Sequence, residues 1–241
     1  MASKVALISG ANKGIGKEAA RQLGKQGFKV YLGSRDLTRG EAAAKELQAE
    51  GVEAEAIQLD VTKQSSVDKA IAEIAAKHAA LDVLVNNAGI LKDRAIGIEE
   101  SDIADVEATM QTNFYGPLRL LKAATPLLEK SKSAKVVNVS STLGSLAKAS
   151  DPASPFAEFR YVGYNCSKAA LNMLTILSAG SLAAKGIKVN SVCPGYVATD
   201  INQNQGYRTV EQGAQIIVKM ATSGDDGPSG GYHDDAGSIP W

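Results

Sequence analysis

The sequence predicts an α/β protein built on a doubly wound parallel sheet with helices on both faces. Three observations predict it. Short apolar runs alternate with helix-forming segments along most of the 241 residues, and right-handed crossovers then give a parallel sheet covered on both sides. The first apolar run enters a glycine-rich turn, Ser9 to Gly16, that opens a helix. The distinctive residues gather where strands end, at Gly10 to Gly16, Arg35, Asp60, Asn86 to Gly89, Ser141 and Pro194-Gly195. Sheets of this kind bind ligands at those ends. No second domain, internal repeat or low-complexity linker interrupts the pattern, so residues 1–241 read as one domain.

Val5 to Ile8 reads as a buried strand. The turn after it has the spacing Gly10-x-x-x-Gly14-x-Gly16, and Lys17 to Gln26 reads as a helix. Together they form an anion site, because backbone N–H groups and the helix dipole both favour a phosphate there. Phe28 to Gly33 is the second strand, followed by a helix over Glu41 to Glu50 that Gly51 closes. Ala54 to Leu59 is the third strand, Gln64 to His78 a helix, and Leu81 to Val85 the fourth strand. Helical segments follow near Ser101 to Met110 and Asn113 to Leu128, then a fifth strand over Lys135 to Ser140. After an irregular stretch, 143–160, comes a helix bearing Tyr164. Ile187 to Val192 is the sixth strand and Val210 to Ala221 a further helix. Gly230 to His233 is a short last strand in a tail rich in Gly, Asp and Pro.

Composition narrows the function. Apolar residues make up 44% of the chain, as in a folded globular protein. Lys plus Arg equals Asp plus Glu, 26 against 26, which argues against nucleic acid or an anionic membrane as the main ligand. No apolar run approaches the roughly 18 residues of a membrane span. Met1 to Lys4 leads directly into a strand-like run without the features of a signal peptide, so a cytoplasmic location is expected. Cys166 and Cys193 form neither a disulfide framework nor a metal spacing and are expected as reduced, packed thiols. His78 and His233 stand apart without a ligand cluster and read as structural or surface residues, so no metal is expected.

The chemistry centres on Tyr164-Asn165-Cys166-Ser167-Lys168. The residues that follow, Ala169, Ala170, Leu171, Met173, Leu174, Ile176 and Leu177, are helix formers with apolar recurrence. Tyr164 and Lys168 therefore lie one turn apart on one helix face. A free phenol has a pKa of about 10, and a fixed ammonium nearby lowers it. Bringing it to about 7 takes roughly 4 kcal/mol of differential stabilisation and would make Tyr164 a competent general acid or base.

These motifs, with Asn113 and in this order along nearly the whole chain, resemble the short-chain dehydrogenase/reductase family. Within it, Asn12 to Gly16, Ser34 to Gly40, Gln58-Leu59-Asp60 and the final Trp241 most resemble the NADPH-dependent carbonyl reductases. The resemblance implies a Rossmann-type fold and hydride transfer between NADPH and a carbonyl substrate. It implies that Tyr164 donates the proton, that Lys168 lowers its pKa and binds the nicotinamide ribose, and that Asn113 holds a relay water. Ser141 would hydrogen-bond the substrate oxygen. Side chains alternate at a strand end, so only one of Ser140 and Ser141 faces the site, and the family motif favours the second. Gly10, Asn12, Lys13, Gly14, Ile15 and Gly16 would bind the cofactor, as would Asp60 and Val61, Asn87, Ala88 and Gly89. Pro194, Gly195, Val197 and Thr199 would complete that set. Tyr196, Phe156 and Phe159 would line the substrate pocket beside Ser141 and Tyr164.

The second strand ends at Ser34 and Arg35, where an NAD-binding protein places an acidic residue. Arg35 and Lys13 suit a 2′-phosphate, which indicates NADP. The alternative makes both surface charges and Asp36 the ribose ligand. Other readings are a 3-oxoacyl or steroid reductase, and a non-catalytic NADP-binding regulator. Ser141 and Tyr164 stand 164 − 141 = 23 positions apart, longer than is usual in the family. In similar carbonyl reductases such an insertion accompanies a monomeric state, so a monomer or dimer is expected rather than a tetramer.

Overall fold

The computed structural model describes residues 3–93 and 98–241. Its core is one eight-stranded sheet in the order β3-β2-β1-β4-β5-β6-β7-β8. The strands are β1 (Val5–Ser9), β2 (Lys29–Ser34), β3 (Ala54–Gln58), β4 (Val83–Asn86), β5 (Lys135–Val139), β6 (Lys188–Val192), β7 (Tyr232–Asp234) and β8 (Gly237–Ser238). All neighbouring pairs are parallel except β7 with β8. The helices are α1 (Gly14–Lys25), α2 (Leu37–Ala49), α3 (Gln64–Lys77), α4 (Ile103–Met110), α5 (Gly116–Leu128), α6 (Leu146–Ser150), α7 (Val162–Leu182) and α8 (Val210–Ala221).

Alternation along each strand divides the core in two. Ala6 and Ile8 of β1 join Val30, Leu32, Val83 and Val85 under α1, α2 and α8. Val5 and Leu7 join Tyr31, Leu84, Val136 and Val189 under α3, α5 and α7. Both faces being covered, every residue of β1 and β4 is buried, which explains their near-continuous apolar reading.

Several boundaries differ from expectation. The second helix starts at Leu37 rather than Glu41, because the Asp36 carboxylate accepts the Arg39 N–H and caps it. Gly40, a weak helix former, belongs there because a Cβ would lie 3.0 Å from Ser34 Cβ. The fourth strand begins at Val83. The preceding Leu81 N–H is committed to the Leu127 carbonyl at 3.2 Å, outside the ladder. The two helical segments around 101–128 are one path, joined by a π-helical turn at Gln111–Tyr115. The stretch 143–160 is not wholly irregular. It contains α6, capped by Ser145 Oγ accepting the Lys148 N–H at 3.2 Å. The tail adds β8, turned back by Asp234 Oδ1 accepting the N–H groups of Ala236 and Gly237.

His78 is structural, as expected: its Nε2 meets the Tyr31 hydroxyl at 2.8 Å. Of the two thiols, Cys193 is buried but Cys166 is exposed. Two positions beyond Tyr164 is about 200° around a helix, so Cys166 faces away from the sheet. Among the described residues no helix is long and apolar enough to cross a membrane, and no group of residues could hold a metal.

Candidate active site

The chain order reverses between β1 and β4, and a crevice for ligand opens at such a point. Gly10 (φ +65°) and Gly14 (φ +57°) use the left-handed region. A Cβ on Gly10 would lie 2.9 Å from Ala88 Cα, and one on Gly16 would lie 2.4 Å from Asn87 Nδ2. Asn87 Nδ2 donates to the carbonyls of Ser9 (2.9 Å) and Gly10 (3.2 Å). The N–H groups of Asn87 and Ala88 both donate to Ser9 Oγ. Asn87 and Ala88 thus bolt the glycine turn to the end of β4. Helix α1 then starts with no side-chain cap and no acid in its first turn, leaving its first N–H groups for an anion. Ile15 packs on the core and Asn12 is half-buried at the rim.

After β6, Pro194 is buried and Gly195 (φ +81°) turns the chain. The segment folds back over the glycine turn, with Thr199 Cγ2 3.7 Å from the Cβ position of Gly14. Here Lys13 departs from expectation. It forms an ion pair with Asp200, the acid next to Thr199, instead of standing free beside Arg35. Val197 is also turned inward, its side chain 3% exposed and packed at Gly213, which leaves only its backbone for a ligand. Tyr196 is exposed and packs edge-on against Tyr207.

At the end of β2, the buried Ser34 hydroxyl donates to the Asp36 carbonyl at 2.7 Å. The Asp36 carboxylate is occupied by the Arg39 N–H and the Arg39 guanidinium, so the alternative that it serves a ribose loses support. Arg35 is exposed, has no ion pair among the described residues, and borders a cavity of about 340 Å³ with Gln58, Asp60, Lys63 and Lys69. Burial alone would raise the Asp60 carboxyl. Hydrogen bonds from the Thr62 hydroxyl and N–H, with the charges of Lys63 and Arg35, hold it below the ordinary value. Val61 is buried against Gly116.

The reactive groups meet between β5 and α7. Ser141 follows β5 in extended conformation and accepts the Leu143 N–H at 3.3 Å, and its hydroxyl is near enough to the Tyr164 phenol to favour the phenolate. Ser140 is buried and points elsewhere, as alternation requires. Lys168 Nζ lies 5.5 Å from the Tyr164 ring centre and donates to the Val139 carbonyl at 2.8 Å. The direction of the tyrosine shift overturns expectation. Burial pushes the phenol up to about 12, helped by the Cys193 sulfur and opposed by the Ser141 hydrogen bond. Burial also brings the Lys168 ammonium down to about 8. Desolvation is the largest cause of both shifts.

Asn113 lies in the π-helical turn and is fully buried. Its Nδ2 donates to the Ile90 carbonyl (2.9 Å) and Ser167 Oγ (3.0 Å), while Oδ1 accepts the Ile90 N–H (2.9 Å). Both amide hydrogens are spent, so the side chain is a clamp rather than a donor to water. Gly89 sits inside this clamp, with its Cβ position 3.5 Å from Asn113 Oδ1 and 3.7 Å from Lys168 Nζ.

Phe156 packs in the insertion with Lys148 Nζ 6.0 Å from its ring centre, and Phe159 is 47% exposed. Two supporting residues escape a sequence reading. Asp93 Oδ2 accepts the Gly163 N–H at 2.8 Å and the Tyr164 N–H at 3.5 Å, capping the helix of the reactive tyrosine from 70 positions away. Ser9 is the buried hub of the glycine turn. Neither bears a local signal, although a serine ending an apolar strand before glycine is a place to look.

The similarities to known proteins agree with this geometry. The model of the family described as short chain dehydrogenase matches residues 4–209. Short-chain dehydrogenase/reductase 1 of Saponaria officinalis is 36% identical, covering 95% of this chain and 93% of that protein. A 3-oxoacyl-[acyl-carrier-protein] reductase of Staphylococcus epidermidis is 35% identical over 83% of this chain and 77% of its own length. Among solved structures, the NADPH-bound carbonyl reductase from chicken fatty liver superimposes with a TM-score of 0.86 at 27% identity, covering 100% of both chains. The strand order, the glycine turn and the Ser141–Tyr164–Lys168 arrangement are thus set in a Rossmann fold, and the chain belongs to the short-chain dehydrogenase/reductase family.

Proposed function

We propose that this protein is an NADP(H)-dependent reductase that converts a ketone or aldehyde to an alcohol. The nearness of Ser141, Tyr164 and Lys168, with Lys168 Nζ 5.5 Å from the Tyr164 ring centre, carries the reading. Two neighbouring hydroxyls suit a carbonyl oxygen as it gains negative charge. The likeness to an NADPH-bound carbonyl reductase supports the same choice.

The residues fit the dinucleotide. The glycine cradle leaves room for backbone to approach a pyrophosphate, the uncapped start of α1 supplies donors, and Arg35 is a cation at the ribose end without an ion pair among the described residues. When bound, NADPH supplies the hydride. Ser141 holds the carbonyl oxygen. Tyr164, protonated at neutral pH because its pKa is raised, gives that oxygen its proton. Lys168 stabilises the phenolate left behind, and Asn113 keeps Lys168 and the Gly89 loop in register. The insertion 143–160 walls one side of the pocket with Phe156 or Phe159, and it favours a monomer or dimer. A second reading, reduction of 3-oxoacyl groups, is supported by the 35% identity to the staphylococcal enzyme. NADPH consumption assayed with small ketones, aldehydes and 3-oxoacyl thioesters separates the two. No consumption with any of them would sink both.

Tyr164→Phe should keep NADPH binding and lose kcat by about a hundredfold or more, the scale of general acid catalysis. A near-normal kcat in that variant would remove Tyr164 from the role.

The reduction should also slow as pH rises through about 8. Lys168 is depressed below its ordinary value, so its charge is present below that pH and is lost above it. Lys168→Met should be slow at every pH and show no such limb. A wild-type profile flat across that range would contradict the role given to the ammonium.

Arg35→Asp should weaken NADPH binding by roughly tenfold or more and relatively favour NADH, since a charge-assisted contact to phosphate contributes about 1.5–3 kcal/mol. With Lys13 held by Asp200, Lys13→Ala should have the smaller effect. An unchanged Kd for NADPH in Arg35→Asp would make Arg35 a surface charge.

Phe156→Ala and Phe159→Ala should alter KM among bulky ketones without altering NADPH affinity, and light scattering should report fewer than four chains per particle. A tetramer with unaltered ketone preference in both variants would leave the insertion without this role.

A further inference from the structure

We infer that Tyr232 and Trp241 are positioning residues for Ser141, their stacked rings holding from behind the turn that carries it. The inference rests on the reading that Ser141 and Tyr164 are where the reaction occurs. That turn is poorly held by its own structure. Its helical pieces, Thr142–Gly144 and α6, are three and five residues long, too short to be stable alone. Besides α7, its support comes from β6, β7 and the residues after β8.

Tyr232 is 2% exposed, and its ring stacks on Trp241 with centroids 5.4 Å apart and planes 19° apart. The Trp241 carbonyl accepts the Ala147 N–H at 2.9 Å, and the Pro240 carbonyl accepts Ser145 Oγ at 2.6 Å. The same rings pack with Ile239 around Cys193. Cys193 Sγ meets the N–H of Thr142 at 3.3 Å and its hydroxyl at 3.1 Å. On the other side of the serine, the Ser140 N–H is held by the Val192 carbonyl at 2.7 Å. Ser141 is therefore flanked by residues fixed to Cys193 and to its chain neighbour Val192, and the stacked pair packs against Cys193. Against α7, the turn's only slack is removed by Asn172 Nδ2 donating to the Gly144 carbonyl at 3.1 Å and by Gly144, whose Cβ position lies 2.6 Å from Lys168 Cβ. Opening the stack would loosen the turn on the side held by the carbonyls of Pro240 and Trp241.

The test is a double-mutant cycle on the full chain, read as kcat with a ketone substrate and as Kd for NADPH. Trp241→Ala should lower kcat by about tenfold while Kd stays within about twofold, and Trp241→Phe, which keeps a stacking ring, should restore most of the loss. In a Ser141→Ala background, Trp241→Ala should cost little further, because the residue it acts through is gone. An unchanged kcat in Trp241→Ala, or an equal loss in both backgrounds, would overturn the inference. Should Trp241→Ala fail to fold, Ser145→Ala removes the bond to Pro240 and enters the same cycle with the same two readings. If Ser141→Ala itself left kcat intact, the functional reading would fail first. If only the Trp241 and Ser145 variants were silent, this inference alone would fail.

Discussion

The site depends on one buried amide. Asn113 has 0% exposure, and every hydrogen it owns is committed, to Ile90 on the loop after β4 and to Ser167 on α7. Ser167 passes the constraint on, since its hydroxyl donates to the Tyr164 carbonyl at 2.8 Å. A buried amide with unmet hydrogen bonds is costly, so this geometry has few alternatives. The π-helical turn around Asn113 fits the same demand. One extra residue in the turn reaims the side chain inward while the helical path from α4 to α5 continues.

Around that clamp, burial sets the proton chemistry. It moves the Tyr164 phenol up and the Lys168 ammonium down, because a low-dielectric setting disfavours either charge. The phenol therefore keeps its proton until something makes the phenolate favourable. In the proposed reaction, charge developing on a carbonyl oxygen beside Ser141 would do so.

Much of this was legible in the sequence. The strands were readable because both faces are covered, so β1 and β4 show unbroken apolar runs. Tyr164 and Lys168 stand on one helix face as their spacing predicts, because that relation is local. What escaped was long-range or dielectric. Asp93 caps α7 from a distant loop, and Trp241 meets Ala147 across 94 positions. The sign of the Tyr164 shift depends on how deeply a phenol is buried, which spacing does not encode. The Lys13–Asp200 ion pair was not legible because nothing local announces that Asp200 folds over the glycine turn. Likewise the start of α2 was missed because Leu37 to Gly40 is weakly helical and the signal lies in Asp36 alone.

The two ends of the sheet have a consequence for how copies of this protein meet. The strand at one end, β8, is two residues long and antiparallel, and it is turned back by Asp234. At the other end, Glu55 of β3 is held in ion pairs with Lys29 and Lys77. Short stubs and charged borders are poor templates for strand addition. Neither end of the sheet therefore invites a further strand, while α7 leaves Met173 and Leu177 exposed.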